Sequence, residues 1–189
     1  MFFRILTTAL FAGFIAGVIS AVMQIIFLQP ILLHAELYET GHLTHFGNSS
    51  LSGSHLPPVF DFQRNALSLL FSALVYTGYA LILTALFAYA SSMKLQIDNV
   101  RAILFGICGF ATVQLSPAFG LPPELPGVAA AELMPRQIWW FFCVISTGLG
   151  FWILAFGGKL IFIAVGIILL LTPHIIGAPQ PVTFIGPTA

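Results

Sequence analysis

The stretch "ILTTALFAGFIAGVISAVMQIIFLQ", Ile5 to Gln29, contains no ionisable side chain, and the first one after it is His34. At about 1.5 Å per residue, a helix of that length reaches roughly 37 Å, enough to cross the ~30 Å hydrocarbon core of a bilayer with some tilt. The whole chain agrees with this stretch. Of its 189 residues, 59% are hydrophobic and only 6% are charged, against about 25% charged in an average soluble domain. The sequence is that of an integral membrane protein. Six basic and six acidic residues cancel, so no basic field points to nucleic acid, and the information lies in where the few charges fall.

Those charges divide the chain into five apolar spans, about 5–29, 65–92, 102–116, 138–156 and 160–176. They are separated by the longer loops 30–64 and 117–137 and form a single polytopic membrane domain over 1–189. The fold class is therefore all-α, because helices satisfy every backbone hydrogen bond within one segment. Prolines at 117, 122, 123 and 126 end the third span. Arg4 followed by an apolar run partly fits a signal peptide. The run continues past the small pair Ser20-Ala21 without a polar boundary, so we expect the segment to be retained as a span. Ala9, Gly13, Gly17 and Ala21 form a small-residue ridge at spacing four, where another helix backbone can approach closely. We expect it to help bring the ends of the first and fifth spans together.

With five spans, Arg4, Lys94, Arg101 and Lys159 share one side, and Arg64 and Arg136 the other. Four against two places the N-terminus in the cytoplasm and the C-terminus outside. The outer side then carries all five histidines, His34, His42, His45, His55 and His174, and every carboxylate except Asp98. Imidazole and carboxylate suit borderline divalent ions such as cobalt, nickel and zinc. Glu36 and Glu39, like His42 and His45, are three apart and would be neighbours on a helix. The plain alternative for the 41–55 histidines is a solvated polar loop, and its Gly/Ser-rich composition fits low-affinity capture better than a fixed site. The metal candidates are thus His174, Glu36, Glu39, His34, His42, His45 and His55.

Pro173, directly before His174, withholds one backbone donor and leaves a carbonyl near residue 169 for a water, a side chain or an ion. Gln24, Gln29 and Gln114 lie toward outer helix ends, where amides either join helices or line an entrance. Trp139 and Trp140 fit an interfacial aromatic belt. Arg136 beside them would snorkel to headgroups or pair with Glu124 or Glu132. Cys108 and Cys143 sit inside apolar runs and form neither a disulfide framework nor a CxxC pair. No nucleotide loop, HExxH, GxSxG or intramembrane carboxylate occurs. The chain therefore has no ATP-hydrolysing motif of its own. A divalent cation moving inward gains about 4.6 kcal/mol per 100 mV of interior-negative potential, so import needs none.

The stretches "QPILLHAELYE" (29–39), "FQRN" (62–65), "LPPELPGVAAAELMPRQIWW" (121–140) and "PHIIGAPQP" (173–181) resemble those of the CbtA family of predicted cobalt transporter subunits. With the five-span layout, the resemblance covers nearly the whole chain. It implies a multi-pass subunit in the bacterial inner membrane that works in cobalt uptake, linked to cobalamin synthesis. It also implies a small single-span, histidine-bearing partner of the CbtB kind. Residue by residue it touches Glu36, Glu39, Arg64, Pro126, Arg136 and His174. Arg64, Arg136, Pro126, Pro173, Gln24 and Gln114 are then the structural or gating candidates. We expect Co2+ as cargo, no cofactor and no enzymatic activity. The alternatives are a non-transporting scaffold or assembly subunit whose outer loops bind a partner, and a membrane metal-dependent hydrolase, which no spacing favours.

The orientation is testable with single cysteines in a chain lacking Cys108 and Cys143. Ser52→Cys should react with a membrane-impermeant thiol reagent in intact cells, and Ser92→Cys should not. The opposite pattern reverses the topology.

Overall fold

A computed structural model of the chain describes residues 2–39, 61–121 and 130–181. Among them there are helices and no strand: α1 (Phe2–Met23), a π turn (Gln24–Leu28), α2 (Gln29–Glu39), α3 (Phe62–Ser92), α4 (Asn99–Phe110), a second π turn (Ala111–Leu115), α5 (Ser116–Ala118), α6 (Leu133–Phe156) and α7 (Leu160–Ile176). Four continuous helical runs, Phe3–Leu37, Phe62–Ser92, Asn99–Ala118 and Leu133–Phe156, are long and apolar enough to cross a membrane, and Leu160–Ile176 is a shorter apolar helix. The chain divides into two compact units, one built on Met1–Asp98 and one on Asn99–Pro187.

In the first unit, α1 and α3 run antiparallel. The Ala9-Gly13-Gly17-Ala21 ridge is buried, and its neighbour is α3 rather than the fifth span. A Cβ at Gly17 would fall 2.5 Å from the Ala73 Cα, and one at Gly13 2.6 Å from the Thr77 Cα. Glycine is required at both points because backbone meets backbone. Ala9, Ala21 and Ala73 are almost fully buried, whereas Phe11, Phe71 and Leu74 are mostly exposed. Small residues inside and large apolar residues outside is the arrangement of helices packed in lipid, where burying leucine against leucine gains little.

The first helical run passes through Pro30 instead of ending near Gln29, and the reason lies in the π turn before it. Proline lacks an N–H and its ring collides with the carbonyl four residues back. Here the Gln29 N–H instead bonds the Gln24 carbonyl, five residues back, in a wider turn. The same solution recurs in the second unit. There "ATVQLSP" (111–117) matches "QIIFLQP" (24–30) in ending Leu-X-Pro, and the Ser116 N–H bonds the Ala111 carbonyl. The extra residue in each π turn also rotates the helix face by about 100°, which re-phases the later turns against the earlier ones. At 35 residues, the first run is roughly 50 Å long. The segment carrying His34, Glu36 and Glu39 is therefore helix, and the connection to α3 begins beyond Glu39 rather than at Pro30.

In the second unit, α6 and α7 form an antiparallel hairpin closed by Gly157, Gly158 and Lys159. Gly158 takes φ +65°, and the Phe162 N–H returns to the Lys159 carbonyl at 3.0 Å. The two helices touch at glycines: a Cβ on Gly150 would lie 3.0 Å from the Gly166 carbonyl oxygen. The run from α4 to α5 lies antiparallel to α6, with Phe105 edge-on to Trp152 and Ser116 against Cys143 and Thr147. Gly177, at φ +84°, ends α7 with its N–H on the Pro173 carbonyl.

Pro173 is handled differently from Pro30 and Pro117. The carbonyl of Leu169, four residues before it, accepts a hydrogen bond from Ser146 Oγ on α6 at 2.6 Å. A side chain of a neighbouring helix thus replaces the missing backbone donor.

Ser146→Ala should therefore destabilise the purified protein by about 0.5–2 kcal/mol, the range for hydrogen bonds between membrane helices. In a Pro173→Ala background, where an N–H again reaches Leu169, the same substitution should have almost no effect. Thermal unfolding of the two singles and the double measures that coupling, and additive effects would refute it.

Candidate functional site

Polar side chains gather at the end of each unit away from Arg4 and Lys94 in the first and from Arg101 and Lys159 in the second. In the first unit they form a ladder across the antiparallel pair. Ser20 donates to the Tyr76 hydroxyl at 3.0 Å, and Gln24 Nε2 donates to Ser20 Oγ at 3.2 Å. Gln29 Nε2 donates to Asn65 Oδ1 at 2.7 Å, with Asn65 buried. The amide that joins two helices is thus Gln29, whereas Gln24 bonds within its own helical run. At the top of the ladder, Arg64 grips Glu36 with both terminal guanidinium nitrogens, Nη1 to Oε2 at 3.1 Å and Nη2 to Oε1. Asp61 caps α3 by accepting from the Arg64 N–H at 3.1 Å, which fixes where that arginine leaves the helix. An apolar groove lined by Ala16, Met23, Phe27 and Leu28, with Ser20, Gln24 and Tyr76, runs along the π turn.

This paired geometry changes what Glu36 can do. A carboxylate held by two parallel N–H bonds has both oxygens engaged and its charge already paired, so a cation must displace or share Arg64 to use it. The i, i+3 spacing of Glu36 and Glu39 does fall on a helix, α2. His34 is exposed on that same helix. His42, His45, His55 and Pro126 lie outside the described residues. Gln114 sits on the second π turn and is exposed. Arg136 Nη1 donates to the Ala131 carbonyl at 3.2 Å, at the start of α6.

In the second unit the centre is Ser116, placed by the π turn and Pro117 at the end of its helix. Its Oγ lies 2.9 Å from Thr147 Oγ1, 3.2 Å from Cys143 Sγ and 3.1 Å from His174 Nε2. Cys143 and Thr147 are one turn apart on the buried face of α6, at 0% and 2% exposure. The ring of His174 stands edge-on to Phe119 and Trp139, each centroid 6.3 Å away. Trp139 in turn donates from Nε1 to the Pro173 carbonyl at 3.2 Å. Gly120 leaves the room that the Trp139 ring fills, since a Cβ there would be 2.5 Å from Cη2. The imidazole is therefore exposed along one side and anchored to a buried hydroxyl on the other.

Ser116, Cys143 and Thr147 are not among the candidates that the sequence suggests. A signal for two of them is present: Trp139, Cys143, Ser146, Thr147 and Gly150 fall at helical spacing on one face of an otherwise bulky apolar helix. Ser116 carries none, because its position depends on the π turn. Among the described residues, no three His, Cys, Asp or Glu side chains converge as a metal-holding group.

Antiparallel apolar helices packed on glycine and alanine, with polar clusters at their ends, define a multi-pass all-α membrane protein. A family model described as "Probable cobalt transporter subunit (CbtA)" matches residues 2–188, and the chain belongs to that family. Comparison with curated proteins and with solved structures returns no match.

The Glu36–Arg64 pair is about two-fifths exposed on both sides, so its contribution to stability should not exceed about 1 kcal/mol. Glu36→Gln and Arg64→Gln should each lower the unfolding temperature slightly, and the double variant should lose no more than the worse single. A loss that equals the sum of the two singles would show that the groups act independently.

Proposed function

We propose that the chain is a membrane subunit of a cobalt uptake system in the bacterial inner membrane, oriented with its N-terminus in the cytoplasm and its C-terminus outside. The observation that carries this reading is the family match over residues 2–188. Its description as a subunit implies a complex. A small single-span, histidine-bearing membrane protein of the CbtB kind is the partner we propose. Co2+ is the cargo, the membrane potential favours its entry, and the role is transport rather than catalysis.

On this reading the donors carried by outer helix ends meet the ion first. The loop histidines His42, His45 and His55, with His34, raise its local concentration. Glu36 and Glu39, at the end of the first helical run, and His174, near the end of the fifth span, act as entrance ligands. Arg64 holds Glu36 until a cation competes for it, and Arg136 and Pro126 position the outer connection before α6. Pro173 supports this assignment because the Leu169 carbonyl it leaves free ties the helix end that bears His174 to α6 through Ser146.

Cells carrying the chain, its partner, or both should differ in radioactive cobalt accumulation, with the pair required for full uptake. His174→Gln keeps hydrogen bonding but ligates poorly, and should lower the uptake rate by about tenfold or more at every metal concentration. Normal uptake at normal protein level would remove His174 from the transport path. No cobalt uptake by the chain with its partner would overturn the reading itself.

A further inference from the structure

We propose that two copies of this chain associate in the membrane through one face of α1 and the π turn after it, with the row Ile19, Met23 and Phe27 of each copy seated in the groove over Ala16, Ser20 and Gln24 of the other. The proposal rests on the Met1–Asp98 unit alone and is independent of the cargo.

Gln24 carries a solvation problem that a single copy does not solve. It is exposed, in a stretch without charge from Ile5 to Gln29. Ser20, to which it bonds, is the central residue of the Phe3–Leu37 run, and Tyr76, next in the ladder, is one residue from the centre of Phe62–Ser92. The ladder therefore crosses the middle of the bilayer, where the headgroups are about 15 Å away, beyond the reach of a glutamine side chain. One amide hydrogen of Gln24 is used on Ser20 Oγ at 3.2 Å; among the described residues, the other and Oε1 have no partner. In hydrocarbon an amide left in that state is costly, and a polar group on a neighbouring helix removes the cost.

Self-complementarity identifies that neighbour. A primary amide both donates and accepts, so Gln24 of one copy can satisfy Gln24 of another across a two-fold axis along the membrane normal, which holds equal residues at equal depth. The surface around it matches itself in the same way. Gly13 and Gly17 are engaged by α3, but beside them Ala16, Ser20 and Gln24 repeat at spacing four along the open groove walled by Tyr76. The adjacent row, Ile19, Met23 and Phe27, also at spacing four, stands out at 57%, 56% and 66% exposure. A low row beside a high row on one helix is what interdigitating i±4 ridges require, and it sets a crossing angle of about −50°. Small side chains at 16 and 20 let the two backbones come close, with the Gln24 hydrogen bonds next to that contact. A second copy supplies the matching row and the amide at the same depth by symmetry.

The full chain, carrying donor or acceptor fluorescent proteins at its N-terminus and reconstituted in liposomes, tests the association without altering any residue. Energy transfer should rise with the protein-to-lipid ratio and saturate at the level of a dimer. Gln24→Leu, similar in size but unable to hydrogen-bond, should weaken association by about tenfold, and Ala16→Ile, which fills the groove, should weaken it at least as much. Leu74→Ala, at an exposed position of α3 outside the groove, should leave it unchanged. In cell membranes, a chain lacking Cys108 and Cys143 should form a disulfide-linked dimer on oxidation when it carries Met23→Cys, and none when it carries Leu74→Cys. Transfer no greater than random proximity gives, or a dimer indifferent to both Gln24→Leu and Ala16→Ile, overturns the proposal. Cross-linking of Met23→Cys only to a different protein also overturns it and assigns the groove to another subunit.

Discussion

Every helix of this protein must satisfy its backbone donors and acceptors without help from water, and three of the prolines inside the described helical runs, Pro30, Pro117 and Pro173, lie beyond the first turn, where they challenge that requirement. Each proline deletes one donor and crowds one carbonyl. At Pro30 and Pro117 the chain widens into a π turn, so that Gln29 and Ser116 reach back five residues. At Pro173 the helix stays regular and Ser146 supplies the donor from α6. These repairs decide where the polar residues go. The first sets α2 in register so that Gln29 and Glu36 meet Asn65 and Arg64. The second delivers Ser116 to the buried face of α6. The third ties α7 to α6 about one turn below His174.

Packing obeys the same scarcity of polar partners. With no water to expel between helices, close approach provides the attraction, and small residues permit it. Gly13 and Gly17 serve that purpose in the first unit, Gly150 and Gly166 in the second. Bulky phenylalanine and isoleucine side chains are left to face outward, an arrangement that would aggregate in water. Polar side chains survive inside where they find one another, as Ser116, Thr147 and Cys143 do, or where they reach a backbone carbonyl, as Ser146 does.

The coarse architecture is open to sequence reading because charge and length report directly on membrane crossing. Five apolar segments, the buried ridge from Ala9 to Ala21 and the orphaned carbonyl near residue 169 can all be read from residue size or from proline chemistry. The continuation of the first helix to Glu39 cannot, because a proline marks a helix end in a local rule and the π turn that rescues it involves five residues together. The partner of the ridge escapes for a related reason: spacing identifies a sticky face without saying which helix covers it, and α3 rather than the fifth span does so. Glu36 and His174 stand out by residue type, but their neighbours Arg64 and Ser116 depend on contacts 28 and 58 residues apart in sequence.

The unequal helix lengths make this protein a gauge of bilayer thickness. α7, at 17 residues, is about 25 Å long, several ångströms less than a typical hydrocarbon core, whereas the first helical run is about twice that. Lipids beside α7 must thin or its flanking Lys159 and His174 must stretch toward the headgroups, at a fraction of a kcal/mol for each ångström of mismatch. Shorter-chain lipids should therefore collect around the hairpin. The acyl-chain length of the host membrane thereby becomes a determinant of how deeply His174 sits below the headgroups.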